Sequence, residues 1–465
     1  MRARPAVPTP RIPSVGAAGL VDTVRTRLWP LPTAAVVLSV LLGELLVVLD
    51  SAVGEDSLRW LTQYGFAGGP DAARAVLAAV SGSLITVTSL TFSLTVVTLQ
   101  LASSQYSPRL LRIFARDAAV QGTLAVFLAT FTFSLTVLRS VRGTDDEADV
   151  FVPRLSVTVA FLLAIASVVV LVLFLAHLAR EIRVEIVVAR VHEEAREVVA
   201  RVYPVGEELP PPPAAPTGRA WYVCAPSSGF VTQVDAEAVR RAAADHGVVV
   251  YVDVAPGAFV VAGTPVARVW PAQPPAAAQP PAAARTSAVP PGDPQAAAGA
   301  VARALRLGPE RTAVQDVGFS LRQITDVVVK ALSPGVNDPT TAVHSLGWSS
   351  AVLVDLAGRP CGPDVVREDD GTLRGVLARP DFATLLHLAV DQPLLYGASD
   401  PVVLHGLTVL LEEAGTTVTR PADLAAVTAL LADVRAAVED VCPPAHRPAL
   451  RRRLVAVRAR LDRVT

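Results

Sequence analysis

One lysine, Lys330, and three cysteines, Cys224, Cys361 and Cys442, are all that a chain of 465 residues holds of those two types. The cysteines lie far apart with no C-x-x-C pair, so neither a disulfide framework nor a zinc site is indicated. Charge is also scarce at 18% of residues, and 41 basic residues nearly balance 42 acidic ones. The formal net charge of -1 sets up no field that favours a polyanion, and nucleic acid is not an expected partner. The seven histidines show no H-x-x-x-H or H-E-x-x-H spacing, and G-x-S-x-G, Walker A and G-x-G-x-x-G are absent. From these absences the chain is expected to bind no metal or cofactor and not to be an enzyme.

What the chain has instead is apolar length. Hydrophobic residues make up 52% of it and the mean hydropathy is +0.46, which points toward membrane insertion. Four segments, Leu31 to Leu49, Val76 to Leu101, Val120 to Leu138 and Leu155 to Leu178, are each long enough for a hydrocarbon core that needs about 20 helical residues. Arginines cluster before the first (Arg2, Arg4, Arg11, Arg25, Arg27), after the second (Arg109, Arg112, Arg116) and after the fourth (Arg180, Arg183). The remaining two connections are acidic. The positive-inside rule then places both termini in the cytoplasm, in the cell membrane. No small-residue cleavage site follows the first segment, so it is expected as an anchor and not as a signal peptide.

The expected fold class is an all-α four-helix transmembrane region followed by a cytoplasmic α+β domain. Residues 1–30 form an N-terminal leader, 31–179 the four spans, and 180–203 a juxtamembrane helix that continues the last span. A proline-rich linker covers 204–219. Residues 220–270 form a β-rich, barrel-sandwich-like unit, because WYVCA, GFVTQV, VVVYVDV and PVARVW are short β-branched and aromatic runs between turn signals. Asp235 is placed to cap a short helix through Asp245. The turn Pro256–Pro265 resembles that of a lipoyl or biotinyl domain, but it holds no lysine to carry either group.

Residues 271–300 are Pro, Ala and Gln over much of their length and are expected to be a disordered linker. The rest, 301–465, is mostly helical. Val317, Leu321, Ile324, Val328 and Leu332 mark one buried stripe. Asp338 and Pro339 are set to cap and open the next helix, and Asp370-Gly371 signals a hairpin. From Asp381 onward the period is helical, broken at Gly415 to Pro421 and at Pro443 to Pro448.

Candidate sites follow from polar residues in unusual places. The second segment carries Ser81, Thr88 and Thr95 on one seam and Thr86, Ser93 and Gln100 on another. Two polar seams need two neighbours other than lipid: a water-filled path lined by hydroxyls, or packing against other helices. Glu44 is an acid well inside a span, a candidate for ion or proton handling or else an interface-facing or hydroxyl-bonded carboxylate. Arg109, Arg112 and Arg116 serve topology and lipid headgroups, or form an electropositive vestibule. Gln315, Asp316, Asn337, Asp338 and Thr340 offer oxygen ligands if two helices fold back on each other; helix capping accounts for both aspartates otherwise.

Two phrases are long and distinctive: Thr91 through Arg109 (TFSLTVVTLQLASSQYSPR), and Gln315-Asp316 through Ala331-Leu332-Ser333-Pro334-Gly335-Val336-Asn337-Asp338-Pro339-Thr340-Thr341-Ala342. They resemble the family of bacterial predicted membrane proteins catalogued as domain of unknown function 2254. The likeness runs from the first span to the C-terminal helices, and the Pro/Ala stretch departs from the family pattern. The resemblance implies a multi-pass membrane protein with a cytoplasmic domain and implies no activity. Two functions are therefore expected from the residues. One is an oligomeric channel or transport-type protein, with the bilayer, further copies of the chain and an ion, solute or small ligand as partners. The other is a membrane-anchored sensor or scaffold.

Overall fold

The computed structural model describes residues 29–52, 66–105, 117–143, 150–181, 183–205, 212–272 and 293–463, which divide between Arg183 and Val184 into two compact units. The first contains four helices long and apolar enough to cross a membrane: α1 (Pro30–Ala52), α2 (Pro70–Gln105), α3 (Ala118–Ser140) and α4 (Arg154–Glu181). Their starts follow local rules. Pro30 and Pro70 open α1 and α2, where a missing N–H is harmless. Asp117 caps α3 by accepting the Ala119 N–H at 2.8 Å. The cap of α4 comes from another helix: Asp50, near the end of α1, accepts from the Leu155 and Ser156 N–H groups and from the Ser156 hydroxyl at 3.0, 3.0 and 2.7 Å.

Helix α3 is the hub of this unit, since it packs on α1, α2 and α4 and half of its apolar window is buried, against 17–22% for the others. One end of the bundle is closed by Ala73, Leu77, Phe133, Val137, Val157 and Ala160. Val120, Leu124 and Phe174 pack together toward the other end. Hydroxyls populate the interior, as where Thr130 meets Ser167 at 3.2 Å. At about 1.5 Å per residue α2 is about 54 Å long, well beyond a hydrocarbon thickness of about 30 Å.

The second unit begins with α5 (Val184–Val202). The sequence suggested one continuous helix out of the last apolar segment; instead α4 stops at Glu181, Arg183 lies outside both helices, and α5 starts afresh. The hydrophobic stripe of α5, Val187, Val188, Val191, Ala195, Val198 and Val199, is buried against α8 (Val317–Ala331) and α9 (Pro339–Ala357).

The strands are β1 (Trp221–Cys224), β2 (Gly229–Val234), β3 (Val248–Val252), β4 (Phe259–Val260), β5 (Pro265–Pro271), β6 (Leu305–Gly308), β7 (Asp364–Arg367) and β8 (Leu373–Leu377). Helix α6 (Ala236–Asp245) lies between β2 and β3, capped by Asp235. One sheet has the order β1-β5-β3-β8-β7, antiparallel except for the parallel pair β3–β8; the other is β4-β2-β6. The stretch 220–270 therefore does not close on itself. Its sheets are completed by β6, β7 and β8, all from beyond residue 300, around one apolar core to which Val223, Val250, Val301 and Leu377 contribute.

Two boundaries differ from the sequence reading. Helix α7 (Pro294–Ala304) starts inside the stretch expected to be linker, because Asp293 caps it, Pro294 opens it, and Ala297, Val301 and Ala304 form a buried stripe at helical spacing. The helical run after Asp381 also breaks once more than expected. Helix α10 (Phe382–Gly397) ends and α11 (Pro401–Thr417) begins because Asp400 caps the Val402 and Val403 N–H groups and Pro401 takes the first helical position. Helices α12 (Pro421–Asp440) and α13 (Arg447–Leu461) complete the unit. The hairpin turns at Asp370-Gly371 as expected, with Gly371 at φ +84°.

Candidate functional site

The two polar seams of α2 lie on opposite sides of the helix. Ser81 and Thr95 are buried and Thr88 is half-buried, and Thr91 and Thr98 extend the same inward stripe. Ser81, Thr88, Thr95 and Thr98 each donate to the carbonyl four residues back, at 2.7–2.9 Å. A Ser or Thr that back-bonds in this way presents little free polarity, so this seam is a packing surface. Thr91 keeps a buried hydroxyl with no partner among the described residues.

The second seam points away from the bundle: Thr86, Ser93 and Gln100 are all exposed. The structure shows it to be longer than those three residues. Ala75, Ala79, Gly82, Thr86, Ser89, Ser93, Val96 and Gln100 recur at alternating steps of four and three, and every one is exposed. Thr86 and Ser89 back-bond to Gly82 and Ile85. Among the described residues outside its own turn of helix, nothing lies within 4 Å of where a side chain on Gly82 would begin. The four-three spacing was readable in the sequence, but the small residues Ala75, Ala79 and Gly82 passed unnoticed beside the hydroxyls.

Glu44 is not a free carboxylate. Arg139, the last residue but one of α3, donates to its Oε1, and both side chains are substantially exposed. The sequence boundary at Leu138 had left Arg139 outside the span. At the other end of the bundle, Asp117 uses its second oxygen for His177 Nε2 on α4, at 2.6 Å. Arg109, Arg112 and Arg116 lie outside the described residues.

The proposed ligand corner does not assemble. Gln315 and Asp316 precede α8 and Asn337, Asp338 and Thr340 follow it, so a helix of 15 residues, about 22 Å, separates the two groups. Four of the five have a structural task. Gln315 bridges to β2, accepting the Val234 N–H at 2.8 Å and donating to its carbonyl at 3.2 Å. Asp316 caps α8 through the Phe319 N–H at 3.0 Å and takes a bidentate pair of bonds from Arg311 at 2.5 and 3.1 Å. Burial pushes its carboxyl above the usual range, against the pull of Arg311.

Asp338 caps α9 by accepting from the Thr341 N–H at 3.1 Å and the Thr341 hydroxyl at 2.6 Å. Those bonds hold its carboxyl below the usual range. Asn337 takes the left-handed φ of +48° that the tight corner requires. No group of three or more His, Cys, Asp or Glu among the described residues is placed to hold a metal ion.

The end of α5 is gripped from three directions. Arg379 donates to the Val202 carbonyl at 2.6 Å, Arg359 to the Tyr203 carbonyl at 2.7 Å, and the Tyr203 hydroxyl to the Pro380 carbonyl at 3.1 Å. Arginines at the last carbonyls of a helix complement its dipole. Farther on, Tyr251 donates to the Pro213 and Ala214 carbonyls at 2.9 and 3.0 Å, so the tail of the proline run lies on the five-stranded sheet.

A family model described as "Predicted membrane protein (DUF2254)" matches residues 25–413. Uncharacterized proteins of Mycobacterium tuberculosis and Mycobacterium bovis are each 34% identical over 437 residues, which covers 92% of this chain and 79% of the relative. No solved structure matches the chain.

Proposed function

Because the chain belongs to the DUF2254 family of predicted membrane proteins, we propose that it works in the cell membrane as a homo-oligomer whose α2 helices flank a polar path for an ion or small solute. The observation that carries this reading is the outward seam from Ala75 to Gln100. Small residues let helices approach closely, and a four-three repeat suits the left-handed packing common to membrane bundles. The Gln100 amide ends the seam on an exposed face, where lipid satisfies none of its hydrogen-bonding groups. A second copy or a file of water does. The interior of a single bundle is a poorer route, since Leu77, Phe133, Val137 and Val157 close one end with apolar side chains.

In this reading the arginine-rich connections face the cytoplasm with both termini, and the second unit is a regulatory collar. The grip of Arg359 and Arg379 on α5 favours a second reading, a membrane-anchored sensor whose soluble unit holds the helix following the last span.

Purified protein in liposomes separates the two. For a pore, ion flux and single-channel current appear and fall in Ser93→Leu and Gln100→Leu, whereas Thr95→Val, on the packing side, conducts like the wild type. A monomer silent at every voltage, pH and membrane tension overturns the pore and leaves the sensor.

A further inference from the structure

We infer that the end of the second unit where α5 begins is a membrane-docking face, whose helix turns sink apolar side chains into the headgroup zone of a bilayer. Contacts inside the unit fix which turns share that end. Val184 and Glu185 of α5 lie beside Thr341 and His344 of α9, whereas Arg359, just past the end of α9, donates to the Tyr203 carbonyl at the opposite end. Helix α8 runs the other way, because the Val314 carbonyl ahead of it accepts from Arg201. The corner from α8 to α9 therefore lies with Val184.

Two further turns meet it there. Arg322 of α8 donates to Gln392 of α10 at 2.9 Å, and Gly397 packs closely on Leu332 and Val403, so the α10–α11 turn sits against the end of α8. Near the end of α11, Gly415 packs on Val427 and Leu461. That contact puts the start of α12 and the end of α13 at the opposite end, and returns the α12–α13 turn to the end of Val184.

These three turns carry Val336, Leu395, Tyr396, Val402 and Val441, each more than half exposed. At the opposite end of the same helices, among the described residues, Val314 is the one large apolar side chain left exposed. Apolar groups gathered at one end mark a contact surface. Its polar members suit a lipid interface: Asp338 and Asp400 are spent as helix caps, Lys330 is exposed in the last turn of α8, and a tyrosine has an apolar body with a polar tip. The chain itself supplies the occupant. Residues 182 and 183 alone separate α4, apolar enough to cross a membrane, from α5. Val184 thus stays within about 11 Å of the end of α4 in any arrangement of the two units, and lipid is the apolar phase within reach. Docking does not depend on the pore, and a protein silent in liposomes leaves it standing.

The test uses full-length protein in nanodiscs of zwitterionic lipid. In a Cys224→Ser background, whose remaining thiols are buried, Leu395→Cys and, at the opposite end, Thr419→Cys each carry an NBD fluorophore. Quenching is read from a spin label near the glycerol end of the lipid acyl chain and from aqueous iodide. The first fluorophore, about 5–10 Å into the interface, is expected to lose most of its emission to the spin-labelled lipid and little to iodide, and the second the reverse. Adding Val336→Ser, Tyr396→Ser and Val402→Ser, all at exposed positions, should move the first toward the pattern of the second. Iodide quenching as complete at Leu395→Cys as at Thr419→Cys overturns the docking face. So does a fluorophore shielded from iodide yet untouched by the spin-labelled lipid, because protein, such as a second copy of the chain, then covers the turns.

Discussion

Arg139 of α3 donates to Glu44 of α1, and the pair joins the two helices that pack most extensively in the first unit. Lipid makes an ion pair of this kind interdependent, since either charge alone is far costlier there than both together. Glu44→Leu and Arg139→Met are each expected to destabilise the protein in lipid by about 3 kcal/mol, while the double variant recovers most of the loss. Thermal unfolding of the four proteins in nanodiscs measures the coupling; additive losses would show that the two side chains act separately.

Gly257 is irreplaceable for two reasons that a paired substitution separates. Its φ is +91°, and a Cβ there would sit 2.0 Å from Asp316 Oδ2. Gly263 has φ +80° with open space around it. Gly263→Ala should therefore cost about 1 kcal/mol of backbone strain and Gly257→Ala about 3 kcal/mol, because the methyl also dislodges the Asp316–Arg311 pair. Denaturant titration of both variants checks the difference.

The three thiols should separate by reactivity. Burial pushes the Cys361 thiol up to about 12 and that of Cys442 upward, and both side chains are shut away from reagent in solvent. Cys224 is exposed. Native protein should take up one maleimide, Cys224→Ser none, and denatured protein three, as mass spectrometry reads directly.

Asp338 makes α9 sensitive to acid. Its folded pKa lies below the unfolded one, so its contribution is present at neutral pH and is lost as pH falls through the folded value. Replacement by Ala should cost about 1 kcal/mol at pH 7. The gap in Tm between Asp338→Ala and wild type should narrow toward pH 3; a gap that stays constant would mean that the carboxylate charge contributes nothing.

Elements whose signal is local were legible in the sequence. The four apolar helices, the caps at Asp235 and Asp338 and the Asp370-Gly371 turn each rest on a few neighbouring residues, and the structure has them where the spacing put them. Two failures at the candidate sites were relational. Asp316 and Asn337 are only 21 positions apart and looked able to meet, but α8 runs unbroken between them and holds their ends apart. Glu44 seemed isolated because its partner is 95 residues away. The seam of α2 was half read, since a periodic count finds hydroxyls and overlooks the alanines and glycine that continue the line.

The parallel pairing of β3 with β8 has a consequence for synthesis. Val252 leaves the ribosome 125 residues before its partner Leu377, an interval of roughly 6–25 s at ordinary elongation rates. Through that interval the middle strand of the larger sheet has one bare edge, while the proline- and alanine-rich stretch and three further helices are made. A protein cut short between residues 271 and 373 keeps every residue of β1 to β5 yet lacks the strand that closes them. The second unit must therefore be inherited, expressed and engineered as one piece.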